Sequence, residues 1–173
     1  MGGNQSKDFR EIEALTISMR PDEIKQYFSG TWHEQVRTNL IFEKGCKDSV
    51  AEYTYSDTVQ IVNSCYRGEK KTIARLQAVK LNTTNDKASF RVGLTNLMMS
   101  TYNILYLADD VAVVAGDSWR ALWVLSRDKH ISHEKLCRVL AHFAKYLEKE
   151  KLVYNDGTPC EWRNRCAQRY KPY

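Results

Sequence analysis

The chain has 173 residues, of which 43% are hydrophobic, and a formal net charge of +5. This length is enough for one domain with a hydrophobic core and short for two. It contains no run of about 18 apolar residues and no apolar N-terminal region, so we expect no membrane-spanning helix and no signal peptide, and therefore synthesis in the cytosol. The basic residues are spread out, which argues against a nucleic-acid partner and fits an anionic membrane surface better.

The first residues match the N-myristoylation pattern, with Gly2 exposed after removal of Met1 and Ser6 at the preferred position. One myristoyl chain binds membranes with an association constant of only about 10⁴ M⁻¹, so a second signal is needed. Basic residues of the head and tail can supply it: Lys7, Arg10, Arg163, Arg165, Arg169 and Lys171. The alternatives are a chance match and a solvated tail. We treat residues 1–20 as a flexible segment that carries the site.

A short helix and a strand follow this segment. Pro21 at the first helical position, acidic residues in the first turn and Gly30 just past the end predict one or two helical turns over residues 21–28. Residues 30–37 then alternate as a strand, which places on one face Trp32, Glu34 and Val36. The helix is expected to plug the end of the sheet nearest Trp32.

Seven more strand patterns follow at intervals of about 8–12 residues, each bounded by turn residues. They cover residues 50–55, 59–66, 72–81, 88–94, 102–108, 111–115 and 122–127. Short connections favour antiparallel neighbours, and eight such strands remove their exposed edges by closing on themselves. The predicted fold class is therefore all-β, an eight-stranded antiparallel up-and-down barrel.

One strong helix pattern lies over residues 132–149. Ser132 is placed to cap its N-terminus, and an apolar stripe follows helical spacing through Leu136, Val139, Leu140, Phe143 and Leu147. This stripe needs a hydrophobic wall, which the outside of a barrel provides. A short strand over 152–154 completes a domain at residues 21–154, and residues 155–173 form a polar, basic tail.

Four ordered blocks carry a resemblance to a known family: Gly30-Thr-Trp32-His-Glu34, Phe42-Glu-Lys-Gly-Cys46, Ile61-Val-Asn63-Ser-Cys65 and Leu122-Trp-Val-Leu-Ser-Arg127. With the helix they cover about residues 27–154, and the chain resembles the lipocalins, in particular the bacterial outer-membrane lipocalin and apolipoprotein D group. The resemblance implies a calyx that holds a small hydrophobic ligand without catalysis. It also implies that Arg127 lies over Trp32 as the barrel floor, a cation–π pair that contributes about 1–2 kcal/mol.

Strand parity supplies candidate ligand-binding residues. If Arg127 faces inward, Trp123 and Leu125 share its face, and the neighbouring strand contributes Tyr102, Ile104 and Tyr106. A shift of one residue turns all of them outward. Apolar walls with a few hydroxyl groups fit a lipophile with a polar head, such as a fatty acid or a lysophospholipid. The segment 97–99, Leu-Met-Met, forms either an adaptable lip for such a ligand or a cover for the barrel's own core.

The sequence offers little catalytic chemistry. Its four histidines have no convergent acid or nucleophile, and its five cysteines lack metal-ligand spacing, so we expect no catalytic residue, no metal and no cofactor. A thiol-dependent isomerase that uses Cys46 or Cys65 is the minority interpretation. The resemblance implies instead a disulfide from Cys46 to Cys160 or to Cys166.

Two non-enzymatic hypotheses lead. The first is a carrier of a small hydrophobic ligand, held by myristate and basic residues at the cytoplasmic face of a membrane in a eukaryotic cell or a virus of one. The second is a structural or interaction protein whose barrel is filled by its own side chains. A disulfide conflicts with a reducing cytosol, so lipid and disulfide together favour an oxidising place such as a virion.

Overall fold

A computed structural model describes residues 3–56, 58–81, 85–94, 99–108 and 110–155. Its helices are α1 (Gly3–Leu15), α2 (Pro21–Tyr27), α3 (His133–Ala141) and α4 (Ala144–Leu147). Its strands are β1 (Gly30–Thr38), β2 (Lys47–Tyr55), β3 (Val59–Arg67), β4 (Lys70–Lys80), β5 (Ser89–Gly93), β6 (Met99–Ala108), β7 (Val111–Ala115), β8 (Leu122–Ser126) and β9 (Leu152–Tyr154). A 3₁₀ turn, Ile41–Glu43, lies between β1 and β2. No described helix has the length and apolarity to cross a membrane.

Strands β1 to β8 close into an antiparallel barrel, which confirms the predicted fold class. Strands β2 to β8 pair in sequence order, and β1 closes the ring by pairing with both β8 and β2. The last residues of β1 also pair with β9, with Val36 opposite Tyr154, so β9 is an added ninth strand. Alternate connections of an up-and-down barrel lie at the same end. We call the end with the β1–β2, β3–β4 and β7–β8 connections the open end, and the end covered by α2 the closed end.

A β-bulge in β1 changes which of its side chains face the interior. The register against β8 shifts between Glu34 and Val36, so Gln35 is the extra residue. Beyond the bulge Arg37 pairs with Trp123 and shares the inner face with Trp32 and Glu34, while Val36 packs outside the barrel. The predicted common face for Trp32, Glu34 and Val36 is therefore wrong for Val36.

Two apolar clusters sandwich the barrel wall. The inner core fills the barrel and consists of Met19, Ile24, Phe28, Trp32, Tyr53, Val59, Ile61, Ala78, Ala88, Phe90, Ile104, Ala112, Val114 and Leu125. The outer core lies between the wall and the helices. Its buried members from α3, α4 and the break between them are the predicted stripe: Leu136, Val139, Leu140, Phe143 and Leu147. Ser132 caps α3 as predicted, accepting from the amide of Lys135 at 3.2 Å. The helix predicted over 132–149 is divided, because Phe143 has non-helical dihedrals (φ −110°, ψ 4°).

The N-terminal segment differs from the expectation for residues 1–20. Residues 1–20 were expected to be flexible, whereas α1 forms within them and buries Ile12 in the outer core. The chain then forms a hydrogen bond to the barrel wall, in which the amide of Ile17 donates to the carbonyl of Ile104 at 3.0 Å. Glu11 accepts a hydrogen bond from Trp119 in the β7–β8 connection at 3.3 Å. Helix α1 therefore runs from mid-barrel towards the open end in its N-terminal direction.

Candidate functional site

Arg127 and Trp32 form the floor of the barrel. The guanidinium carbon of Arg127 lies 3.8 Å from the centroid of the fully buried Trp32 ring, which confirms the predicted cation–π pair. Arg127 also donates to the carbonyls of Tyr27 and Thr31, at 2.9 and 3.0 Å. Gly30 has a φ of +97°, and a Cβ there would lie 3.2 Å from Arg127 Nη1, so a glycine suits both the backbone and the contact.

Four of the five predicted ligand-binding residues face the interior. Ile104 and Leu125 belong to the inner core, and Tyr102 and Trp123 pack against it while keeping part of their surface accessible. The predicted inward orientation of Tyr106 is wrong. It packs against the outer core and stacks on His142, with ring centroids 6.0 Å apart.

A second β-bulge explains the position of Tyr106. The register of β6 against β7 shifts between Ile104 and Tyr106, so Leu105 is the extra residue and the alternation reverses beyond it. Leu107 takes the inward position instead and packs against the inner core. Strict parity along β6 cannot reveal this shift.

A pair of tyrosines crosses the interior above the floor. The hydroxyl oxygens of Tyr53 and Tyr102 lie 2.5 Å apart, and the Tyr53 ring meets Phe28 edge-on at a centroid distance of 4.8 Å. Burial raises the pKa of Tyr53 to about 12 and that of Tyr102 well above its usual value. Both hydroxyl groups therefore stay protonated. Above this pair Tyr102 stacks on Trp123, with centroids 6.2 Å apart.

A buried charge cluster, Glu34, Arg37 and Glu43, lies between the tyrosine pair and the open end. Arg37 Nη1 lies 2.5 Å from Glu34 Oε1, and Arg37 Nε lies 3.1 Å from Glu43 Oε2. Trp123 Nε1 donates to both carboxylate oxygens of Glu43 at 3.2 Å. Because Glu43 belongs to the 3₁₀ turn, this carboxylate ties the β1–β2 connection down onto the interior.

The cluster holds two carboxylates against one guanidinium. Burial raises the pKa of Glu43 to about 7, and the nearby Glu34 carboxylate adds to the increase. Burial also raises the pKa of Glu34, against the opposing effect of Arg37. With both carboxylates ionised the cluster carries a net charge of −1, and uptake of one proton neutralises it. The two groups titrate as a coupled pair.

Two polar atoms of the upper interior make no hydrogen bond to the part of the chain that the structure describes. They are Arg37 Nε, whose contact with Glu43 lacks hydrogen-bond geometry, and Asn63 Oδ1. Buried polar atoms in proteins are almost always hydrogen-bonded.

The cysteine pairing differs from the prediction. Cys46 is bonded to Cys65, with Cα atoms 5.4 Å apart, so the predicted bridges from Cys46 to Cys160 or Cys166 are wrong. The β2–β3 register accounts for the pairing, because Lys47 lies opposite Tyr66 and each cysteine directly precedes one residue of this pair. Neither Cys46 nor Cys65 offers the free thiol that an isomerase requires. Cys137 on α3 is also disulfide-bonded.

Several predicted residues lie outside the described part of the chain: Gly2, Leu97, Met98, Cys160, Arg163, Arg165, Cys166, Arg169 and Lys171. Met99 begins β6, but its side chain is likewise outside the description. The myristoylation site, the apolar lip and the basic tail therefore stay predictions. Within the described ranges, no three His, Cys, Asp or Glu side chains converge on a position for a metal ion.

Sequence reasoning missed the charge cluster. The available signal was Glu34 on the same face as Trp32, followed three residues later by Arg37. A buried carboxylate requires a partner, and strict alternation placed Arg37 on the opposite face. Only the bulge at Gln35 brings the two charges together.

A family model described as a lipocalin-like domain matches residues 23–146. The outer membrane lipoprotein Blc of Citrobacter freundii is 29% identical over 123 residues, which cover 68% of each chain. A protein named as a lipocalin in Acanthamoeba polyphaga mimivirus is 26% identical over 141 residues, covering 76% of this chain and 77% of its own.

Solved structures show the same fold at low identity. Insecticyanin of the tobacco hornworm Manduca sexta matches with a TM-score of 0.63 and 20% identity, covering 78% of this chain and 82% of its own. Lobster apocrustacyanin A1 matches with a TM-score of 0.61 and 12% identity, covering 93% and 90%. At these identities the structural likeness describes the architecture alone.

Proposed function

The chain belongs to the lipocalin family, whose members bind small hydrophobic ligands, and from this we propose that it carries a single-chain lipid, a lysophospholipid or a fatty acid. The observation that carries the proposal is that inward-facing apolar residues around the barrel interior keep part of their surface accessible. Inner residues from four strands keep part of their surface exposed: Leu76, Val92, Tyr102 and Trp123. An acyl chain that covers them gains about 25 cal/mol per Å² of apolar area removed from water.

The charge cluster favours a head group without net negative charge. When Glu34 and Glu43 are both ionised, they outnumber Arg37 and repel a fatty-acid carboxylate. A zwitterionic lysophospholipid brings a cationic group for the carboxylates and phosphate oxygens for Arg37 Nε. At neutral pH we therefore place lysophospholipids ahead of fatty acids.

A second candidate is a structural protein with a self-filled barrel. The observation that favours it is the Tyr53–Tyr102 contact, which spans the interior, with buried Phe28 and Phe90 on its floor side. In this case the space above the tyrosines would be too small for an acyl chain. Catalysis is not proposed, because the structure ties both suspected nucleophiles, Cys46 and Cys65, in one disulfide.

Membrane attachment and location are further parts of the proposal. Helix α1 rises towards the open end, so myristate on Gly2 would anchor the chain on that side. The Cys46–Cys65 disulfide argues against a permanently reducing compartment. We propose that the chain is synthesised and acylated in the cytosol of a eukaryotic cell and attaches to the cytoplasmic face of a membrane. Its cysteines would then be oxidised after it reaches an oxidising place such as a virion.

Native mass spectrometry of the chain purified from a eukaryotic host tests both candidates. The carrier predicts a bound single-chain lipid that is released on collisional activation, and the myristoylation proposal predicts the mass of an added myristoyl group. The Trp123→Leu variant removes part of the accessible inner apolar surface and should retain less lipid. A lipid-free spectrum, together with no uptake of added lysophosphatidylcholine, would support the self-filled barrel instead.

A further inference from the structure

An apolar tip projects from the open end of the barrel. Ile41 is 92% exposed and Phe42 is 67% exposed, the two highest values among the exposed large hydrophobic residues that the structure describes. Both lie in the 3₁₀ turn between β1 and β2. Two adjacent, largely exposed apolar side chains indicate a surface that is covered in use.

The backbone under this tip is firmly held. Arg37 Nη2 donates to the carbonyls of Glu43 and Cys46, at 2.9 and 3.3 Å, from inside the barrel. From the β3–β4 side, Arg67 Nη2 donates to the carbonyl of Phe42 at 2.7 Å. The Cys46–Cys65 disulfide joins the β1–β2 connection covalently to β3. The turn therefore presents Ile41 and Phe42 outward from a fixed platform, with Glu43 pointing inward as its anchor.

The surroundings of the tip are apolar and basic. We call open-end surface the exposed apolar residues Ile41, Phe42 and Tyr66 together with the exposed basic residues Lys44, Lys47, Arg67 and Lys70, which lie in or beside the β1–β2 and β3–β4 connections. The exposed acidic groups beside it are Glu69 and Asp48, and Asp48 is paired with Lys129 at 3.6 Å. The surface is therefore net positive around an apolar centre.

We propose that the open-end surface docks on an anionic lipid bilayer, with Ile41 and Phe42 inserted at the interface and the basic residues on the head groups. Apolar side chains with a surrounding of lysine and arginine are the arrangement that peripheral proteins use at anionic membranes. A protein interface of standard size needs about 800 Å² per partner with few charges at its centre. Two protruding side chains among lysines fit a bilayer better.

Docking in this orientation deepens the carrier function and rests on it. The mouth of the barrel then faces the membrane that supplies the lipid, so an acyl chain enters without crossing bulk water. The direction of α1 agrees with this orientation, because its N-terminal end also lies on the open-end side. An N-terminal acyl group and the tip would meet the same bilayer.

Vesicle co-sedimentation with the full, non-acylated chain tests the surface apart from myristate. The vesicles are phosphatidylcholine with and without phosphatidylserine, and the variant is Ile41→Ser/Phe42→Ser. The control is Tyr27→Ser/Val79→Ser, because these two residues are 53% and 47% exposed and lie away from the open end. We expect the tip variant to bind phosphatidylserine vesicles about tenfold more weakly, since each side chain loses its apolar burial, and the control to bind like the unmodified chain. Near-ultraviolet circular dichroism checks that both variants fold.

Three outcomes would overturn the proposal: equal vesicle binding by the tip variant, no vesicle binding by the unmodified chain, or loss of a dimer in the tip variant on size-exclusion chromatography. Uptake of monomeric fluorescent lysophosphatidylcholine in the absence of vesicles is measured in parallel. If the tip variant takes up the monomer normally but accepts it slowly from vesicles, docking and carriage are both supported. If neither the unmodified chain nor the variants take up the monomer, the carrier function is contradicted, and vesicle binding then tests the docking surface alone.

Discussion

Arg127 is held between the Trp32 ring, 3.8 Å from its guanidinium carbon, and the carbonyls of Tyr27 and Thr31. One side chain from the end of β8 therefore joins the closing helix α2 and the start of β1. The Trp32 indole in turn donates to the carbonyl of Phe28 at 2.8 Å. The floor is a set of polar contacts around an aromatic ring, and removing its cation should loosen the closed end.

The first prediction concerns this floor. Arg127→Met keeps the length of the side chain but loses the cation and both hydrogen bonds, so we expect the free energy of unfolding to fall by about 2 kcal/mol. Urea denaturation followed by tryptophan fluorescence measures the change. Arg75→Met, at an exposed arginine on β4, is the control and should change stability by less than about 0.5 kcal/mol. Equal stability of the two variants would contradict the proposed contribution of the floor.

The second prediction concerns the disulfide between Cys46 and Cys65, which closes a sequence separation of 19 residues. In the chain-entropy model a loop of this length contributes about 3 kcal/mol. We expect the Cys46→Ser/Cys65→Ser variant to unfold at correspondingly lower urea concentration under non-reducing conditions. Peptide mapping of the unmodified chain provides the check on pairing, and a Cys46–Cys160 peptide would contradict the structure.

The third prediction uses two tyrosines that the sequence could not distinguish. Tyr102→Ala removes an accessible inner ring and the partner of Tyr53, whereas Tyr106→Ala removes a ring on the outer face beside His142. We expect at least about a tenfold weaker affinity for lysophosphatidylcholine in the first variant and little change in the second, because only the first contributes apolar area to the interior. Fluorescent-probe displacement measures both, and equal effects would place the ligand outside the barrel.

The sequence predicts the barrel well because its signals are local. Turn residues at regular spacing and the Trp32 and Arg127 blocks define eight strands and the floor, and the apolar stripe around Leu140 defines the packed helix. What the sequence cannot show are the bulges at Gln35 and Leu105, since a bulge depends on how neighbouring strands fit and not on one strand's own pattern. Each bulge reverses the facing of every residue beyond it.

The disulfide and the charge cluster were missed for a related reason. Both depend on long-range register: Lys47 opposite Tyr66 for the cysteines, and Arg37 on the inner face for the cluster. The family resemblance suggested a tail bridge for Cys46, and the β2–β3 pairing supplies a nearer partner. The local sequence pattern therefore predicts the strands and helices, whereas predicting the site also requires the register in which the strands pair.

The fourth prediction is a pH dependence of stability. Burial raises the pKa of Glu43 from 4.5 to about 7 in the folded chain. Between these values the folded state holds a proton that the unfolded state releases, so the contribution of Glu43 to stability is fully present below about pH 4.5 and is lost as the pH rises to about 7. The change amounts to about 3 kcal/mol at about 1.4 kcal/mol per pKa unit. Urea unfolding of the unmodified chain and of Glu43→Gln across this range isolates the effect, and parallel curves for the two would contradict it.

The fifth prediction concerns the effect of the same Glu43 protonation on ligand preference. A fatty acid has an ordinary carboxyl pKa near that of glutamate, about 4.3, and is ionised at pH 6 and at pH 8. Over this interval Glu43 loses its proton and the cluster becomes more negative by one charge, which repels a carboxylate and not a zwitterionic head. We expect the affinity for oleate relative to lysophosphatidylcholine to fall about tenfold between these pH values, about 1.4 kcal/mol of added repulsion.

Taking the ratio of the two ligands removes any effect of pH on the barrel itself, because both bind the same fold. Glu43→Gln is the matched variant, since its amide keeps the hydrogen-bonding shape without the charge. Its ratio of oleate affinity to lysophosphatidylcholine affinity should stay, at every pH, at the value that the unmodified chain shows at pH 6. Isothermal titration with each lipid below its critical micelle concentration measures the affinities. A ratio that falls equally in the variant would mean that Glu43 does not sense the head group, and the polar end of the ligand would then lie away from the cluster.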